Sequence, residues 1–164
     1  SGADALSSRF VKVLAQAPRL FMISRSHPLA NLVRCPEENS IENPQMFSLQ
    51  HLENQTLVSG VPGQKICEDI SQIITKYGLR SLSLIPVQNR KTNIAMAECG
   101  LAIAFLPAIY VTAPEEHRNL LYLYSDDPLA QWRMTVRHKN SCLTPIERRF
   151  IDLASAVFSG KEPV

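Results

Sequence analysis

Between Gln64 and Tyr77 the apolar residues Ile66, Ile70, Ile73, Ile74 and Tyr77 fall at i, i+4, i+7, i+8 and i+11. That is the stripe of a helix resting one face on a core. Gly78 stands where a left-handed C-terminal cap belongs. Short apolar runs without helical period flank this segment, at 55–59 and at 82–87. A second, weaker helical pattern covers about 89–99, with Ile94 and Ala97 inward and Gly100 as its stop. The run "LAIAFLP" (101–107) follows at once. Strand, helix, strand, helix and strand joined by short loops predict a parallel α/β unit, whose strands are covered on both faces and read as unbroken apolar runs. Leu101 to Leu106 is expected to be the buried central strand of a small parallel sheet.

Outside that unit, Leu20 to Ile23 reads as a strand running into a polar turn, where Pro28 holds His27 away from helical geometry. Residues 31–46 carry two prolines, three asparagines and three glutamates with little periodicity, which makes them a connection. Ser48 opens a short helical turn, and 120–124 and 131–138 read as further strands. In "LTPIERRFIDLASAVF", Thr144 suits the N-cap, Pro145 the first helical position and Glu147 the third residue of a capping box. Phe150, Ile151, Leu153, Ala154, Val157 and Phe158 form the stripe of that helix.

Composition narrows the function classes. The 164 residues, 45% apolar and 20% charged, describe an ordinary globular domain. A net charge of +2 is too balanced to indicate nucleic acid or membrane. The longest apolar run, Leu101 to Val111, is broken by Pro107 and falls short of the ~20 residues of a membrane span. No basic-then-apolar leader opens the chain, and a first residue other than Met predicts that it was cut or processed. Cys35, Cys67, Cys99 and Cys142 are scattered without a CxxC pair, so reduced thiols are expected. Cys99 lies at a helix carboxyl end, where the dipole disfavours a thiolate nucleophile.

In a parallel sheet, ligands bind beyond the carboxyl ends of the strands, where helix amino termini offer free N–H groups. Two turns qualify, 59–64 and 87–92, each setting hydroxyl or amide side chains beside a positive helix end. A small anionic molecule suits them; alternatively, Ser59 and Asn89 serve only as turn and capping residues. Gly60-x-x-Gly63-Gln-Lys65 lacks the P-loop spacing, and no GxSxG elbow is present. His27, His51, His117 and His138 have no metal-ligand spacing. No catalytic residue, metal or cofactor is expected, and hence no enzyme. Arg133, Arg137, His138, Lys139, Arg148 and Arg149 read as a solvated face or a subunit contact, and no helix-turn-helix pattern occurs.

Four segments in order resemble the LysR-type transcriptional regulators: "FMISRSHPLA", "FSLQHLENQTLVS", "TNIAMAECGLAIAFLP" and "WRMTVRHKNSCLTPIERRFIDLA", spanning about 18–158. The resemblance implies the family's effector-binding domain, a type 2 periplasmic-binding-protein-like fold of two α/β subdomains around a cleft. Subdomain two would be 48–126. A remnant of subdomain one would combine 1–47 with 127–164, incomplete because its opening strand–helix–strand portion is expected to be missing. In the family the coinducer is held by the turn matching the end of 55–59 and the helix start matching 88–92. The candidate ligand-binding set is therefore Ser26, Ser59, Gly60, Val61, Gln88 and Asn89. The resemblance further implies a small-molecule effector, a homo-oligomer, a cytoplasmic protein without membrane partners, and DNA contact through a winged helix-turn-helix outside this chain. Ala102 stands where the family has a second glycine. A transport-type solute-binding protein of the same architecture is the alternative.

Overall fold

In the computed structural model, which describes residues 10–138 and 142–158, the apolar runs become strands and the helical-period segments become helices. The strands are β1 (Phe10–Ser24), β2 (Gln45–Met46), β3 (Thr56–Ser59), β4 (Ser83–Pro86), β5 (Ala104–Pro107), β6 (Leu120–Tyr124) and β7 (Gln131–His138). The helices are α1 (Lys65–Tyr77), α2 (Arg90–Glu98) and α3 (Pro145–Phe158). The chain divides into a larger unit, Pro18–Gln131, and a smaller one built from the chain up to Ala17 and from Trp132 onward.

In the larger unit β3 and β4 are parallel, with Leu57 opposite Leu84. A parallel bridge between Leu57 and Ile103 joins them to β5, sealed by Val58 N–H to Ile103 O and Ile103 N–H to Thr56 O, both 2.8 Å. Strand, helix, strand, helix, strand thus stands as the sequence predicts. Beyond β5, however, the sheet is mixed: Arg19–Met22 of β1 run antiparallel to Pro107–Ala104, and β1 also runs antiparallel to β6. The sheet order continues from β5 through β1 and β6 to β2. This pairing explains why the unit takes in 18–47 and 127–131 as well as the expected 48–126. Phe21 on β1 stacks on Phe105 at 4.3 Å and meets Phe47 edge-on at 5.0 Å, so these segments share one core.

That core lies on both faces of the sheet. Phe21, Ile23, Leu57, Ile103 and Phe105 face Ile70 and Ile73 of α1, while Leu20, Met22, Ala104 and Leu106 face Ile94 and Ala97 of α2. Gly78, at φ +64°, ends α1 in the left-handed conformation, its N–H on Ile74 O. Two expectations change. Leu101 is 66% exposed, because Gly100 turns at φ +73° and ladder pairing begins only at Ile103. Strand β4 is a largely exposed edge: Ser83 and Val87 direct their N–H groups to β3, so Leu84 and Pro86 face outward, and Pro86 has no N–H with which to recruit another strand.

The smaller unit contains α3 and β7, which pairs with β1. The capping box forms, with Thr144 N–H on Glu147 Oε2 at 2.8 Å and Glu147 N–H on Thr144 Oγ1 at 3.3 Å. Leu14 and Ile151 are its buried apolar side chains among the described residues. Phe150 and Val157, expected in the buried stripe, are exposed, as are Val11, Val13 and Ile146. One helix and a strand pair offer too little surface to cover both. Lys139 and the Phe158 side chain lie outside the described residues. Among those residues no helix is long and apolar enough to cross a membrane.

Candidate functional site: a polar rim at the strand ends

Strands β3, β4 and β5 point the same way, so Ser59, Pro86 and Pro107 mark one edge of the larger unit, and α1 and α2 both begin there. Ser59 follows Leu57 by two residues and shares its face of β3, the face that α1 covers. Its side chain is buried, the residue being 4% exposed. Its backbone oxygen accepts Val87 N–H at 3.0 Å, tying the two turns together, whereas its hydroxyl bonds to no described residue.

The next residues form a tight turn. Pro62 and Gly63, the latter at φ +93°, take the central positions of a type II turn closed by Gln64 N–H to Val61 O at 3.2 Å. Gln64 then folds its side chain back, and its Oε1 accepts Val61 N–H at 3.2 Å. Gly60 is required beneath it, since a Cβ there would overlap Gln64 Oε1 and Ile66 Cγ2. Cys67 Sγ donates to Gly60 O at 3.4 Å and fixes that peptide from the other side. Because Gln64 does not cap α1 with its side chain, the Lys65 and Ile66 N–H groups keep no acceptor among the described residues.

At the second turn Gln88 is exposed with its amide unbonded to the described residues. Asn89 Oδ1 accepts Thr92 N–H at 3.2 Å, so this carboxamide caps α2. No acidic residue occupies the first turn of α2. Arg90 and Lys91 stand there instead and add to the positive helix end rather than offset it. The Arg90 guanidinium lies over the Tyr110 ring, 3.5 Å from its centroid.

Ser26 does not join this group. β1 is antiparallel to β5, so the turn after Ser24 sits at the opposite edge, where Ser26 shares a 2.9 Å hydrogen bond with Ser24 and lies against Gly100. Register separates it from the level of Ser59 by about five residues of strand, roughly 17 Å. Burial lowers the pKa of its neighbour His27, whose Nδ1 accepts Leu29 N–H at 3.0 Å.

Sequence reasoning missed a charged group on the α1 face of this rim. Arg19, opposite Pro107, is buried and donates to Asp69 Oδ2 at 2.7 Å, while Lys65 Nζ reaches Asp69 Oδ1 at 2.7 Å. The Arg19 guanidinium also stands 5.6 Å from the Phe105 ring centroid. An arginine inside "PRLFMIS" was the available signal. Among the described residues no three His, Cys, Asp or Glu side chains gather as a metal-holding group.

No protein-family model matches the sequence, and no curated protein matches it. Solved structures do. The regulatory domain of CcmR from Synechocystis PCC6803, in complex with 2-PG, superposes with a TM-score of 0.64 at 15% identity, over 91% of this chain and 66% of that one. The BenM effector-binding domain with its effector benzoate gives 0.62 at 16% identity, over 94% and 66%. The regulatory domain of MetR, a LysR-family regulator from N. meningitidis, gives 0.66 at 13% identity, over 94% and 66%. The chain has the fold of LysR-type effector-binding domains. That fold is type 2 periplasmic-binding-protein-like, and the chain spans just under two thirds of the length of these three structures. Within the LysR-type fold, the rim of Ser59 to Gln64 and Gln88 to Arg90 is the candidate site.

Proposed function

We propose that this chain is the effector-sensing part of a LysR-type transcription regulator and that it holds a small anionic molecule at the rim formed by Ser59, Gly60, Val61, Gln88 and Asn89. One observation carries the reading: Ser59, at the end of β3, is 4% exposed, and its hydroxyl bonds to no described residue while keeping some exposure of its own. A ligand oxygen that accepts this hydroxyl adds about 0.5–1.5 kcal/mol net. Both helices begin at this edge, and although Glu68 stands in the first turn of α1, the first turn of α2 carries Arg90 and Lys91 and no acid, the sign an anion needs. CcmR and BenM, of the same fold, are described with 2-PG and with benzoate. The regulator would work in the cytoplasm and reach DNA through a winged helix-turn-helix beyond these 164 residues.

The test is calorimetric titration of the chain with 2-PG, benzoate and related small acids, repeated on Ser59→Ala and Gln88→Ala. The expected result is a ligand whose binding weakens by about 1–3 kcal/mol in each variant while the unfolding midpoint stays in place. Wild-type affinity in both folded variants would reduce these residues to turn and capping roles.

A further inference from the structure

We infer that the Gln64 carboxamide is a built-in stand-in for the ligand: its Oε1 holds the Val61 N–H until an anionic oxygen of the effector displaces it. This deepens the reading of the rim given above and rests on it.

The geometry around Gln64 is arranged for that contact. Gly63 at φ +93° turns the chain so that Gln64 returns over Val61, and Gly60 leaves the space its carboxamide fills. The short side chains of Ser, Thr, Asp and Asn are the ones that cap a helix start by accepting a first-turn N–H, and glutamine is not one of them. Gln64 makes no such bond and accepts from Val61 instead, at 3.2 Å. The helix end therefore keeps the Lys65 and Ile66 N–H groups without acceptors among the described residues, at the same strand edge as Ser59, which is 4% exposed with its hydroxyl unbonded. A neutral oxygen on an exposed side chain thus occupies the Val61 N–H. A carboxylate or phosphate oxygen forms the stronger, charge-assisted hydrogen bond to the same N–H. Gln64 swings into solvent when that happens. Its effect is selective: a ligand must bring an acceptor good enough to replace an amide oxygen, so alcohols and neutral amides gain nothing from the exchange.

The experiment follows backbone amide resonances of the isotopically labelled 164-residue chain during separate titrations with inorganic phosphate and with acetate. Wild type, Gln64→Ala and Gln64→Glu are compared. The Val61, Lys65 and Ile66 amides should move together in wild type, and whichever anion moves them at the lower concentration identifies the headgroup class. Gln64→Ala should bind roughly two- to tenfold tighter, the equivalent of one net hydrogen bond no longer displaced. Gln64→Glu, whose carboxylate holds Val61 more firmly, should bind more weakly than wild type. If Lys65 and Ile66 respond while Val61 stays still, or if Gln64→Ala binds no tighter, Gln64 is not displaced and only this inference falls. If no amide from Ser59 to Ile66 moves in any variant with either anion, the rim is not an anion site and both readings fall.

Discussion

Asp127 is buried, and its carboxylate is surrounded by donors: Lys76 Nζ at 2.5 Å, Tyr77 Oη at 2.6 Å and Leu129 N–H at 2.9 Å. Burial pushes its pKa up, but the hydrogen bonds from Lys76, Tyr77 and Leu129 outweigh it and leave the pKa below the ordinary value. A depressed carboxyl pKa contributes stability above the unfolded value and loses it as pH falls through the folded one. The loss therefore begins below about pH 4. Urea unfolding should show wild type more stable than Asp127→Asn at pH 7, with the gap shrinking steadily below pH 4; a constant gap down to pH 2 would contradict this. Residues of this kind were the least legible in the sequence. Arg19 and Asp69 stand 50 positions apart, and Lys76 and Asp127 stand 51 apart. An arginine inside an apolar run hints at one partner, but nothing local announces the other. Ser59, Gln88 and Asn89 could be placed at strand-to-helix turns because each ends or follows an apolar run before a helix, a purely local pattern; their part in binding is the proposal made above. Gln64 shows the limit: its position at the start of α1 could be read, but not its turn back onto Val61.

Helix α1 ends on Gly78 because only a residue at ease with φ +64° lets the Gly78 N–H reach Ile74 O there. A Cβ at Gly78 would touch nothing within 4 Å, so the cost of Gly78→Ala is purely conformational. That substitution should destabilise the chain by about 1–2 kcal/mol in urea unfolding, and a value near zero would mean that the helix end reorganises. Helix ends and the order of β3, α1, β4, α2 and β5 could be read in advance, because caps and periodicity depend on residues within a few positions. The direction of β1 could not. Its partners on β5 and β6 lie roughly 80 to 100 residues away along the chain, and an apolar run carries no sign of the strand beside it. The same blindness put Leu101 into the strand and treated β4 as covered, since exposure depends on what the rest of the chain leaves uncovered.

At the scale of the molecule the two units differ in how well they are filled. The larger has apolar layers on both faces of its sheet, while the smaller buries Leu14 and Ile151 and exposes Val11, Val13, Ile146, Phe150 and Val157. Apolar side chains uncovered in this number favour association. We expect a homo-oligomer joined through residues 10–17 and 131–158, which sedimentation should detect at micromolar concentration. Ile146→Asp with Phe150→Asp should shift it to monomer, and a wild-type monomer at high concentration would argue against it. The central claim concerns the larger unit and is the proposal that the rim where β3 and β4 end is an effector site. Backbone amide mapping with the tightest-binding small acid, on wild type and Ser59→Ala, tests it most directly. The account predicts shifts concentrated at Ser59–Ile66 and Gln88–Thr92, with affinity in Ser59→Ala lower by about five- to a hundredfold. Shifts confined to other parts of the chain, with Ser59→Ala binding as wild type does, would contradict it.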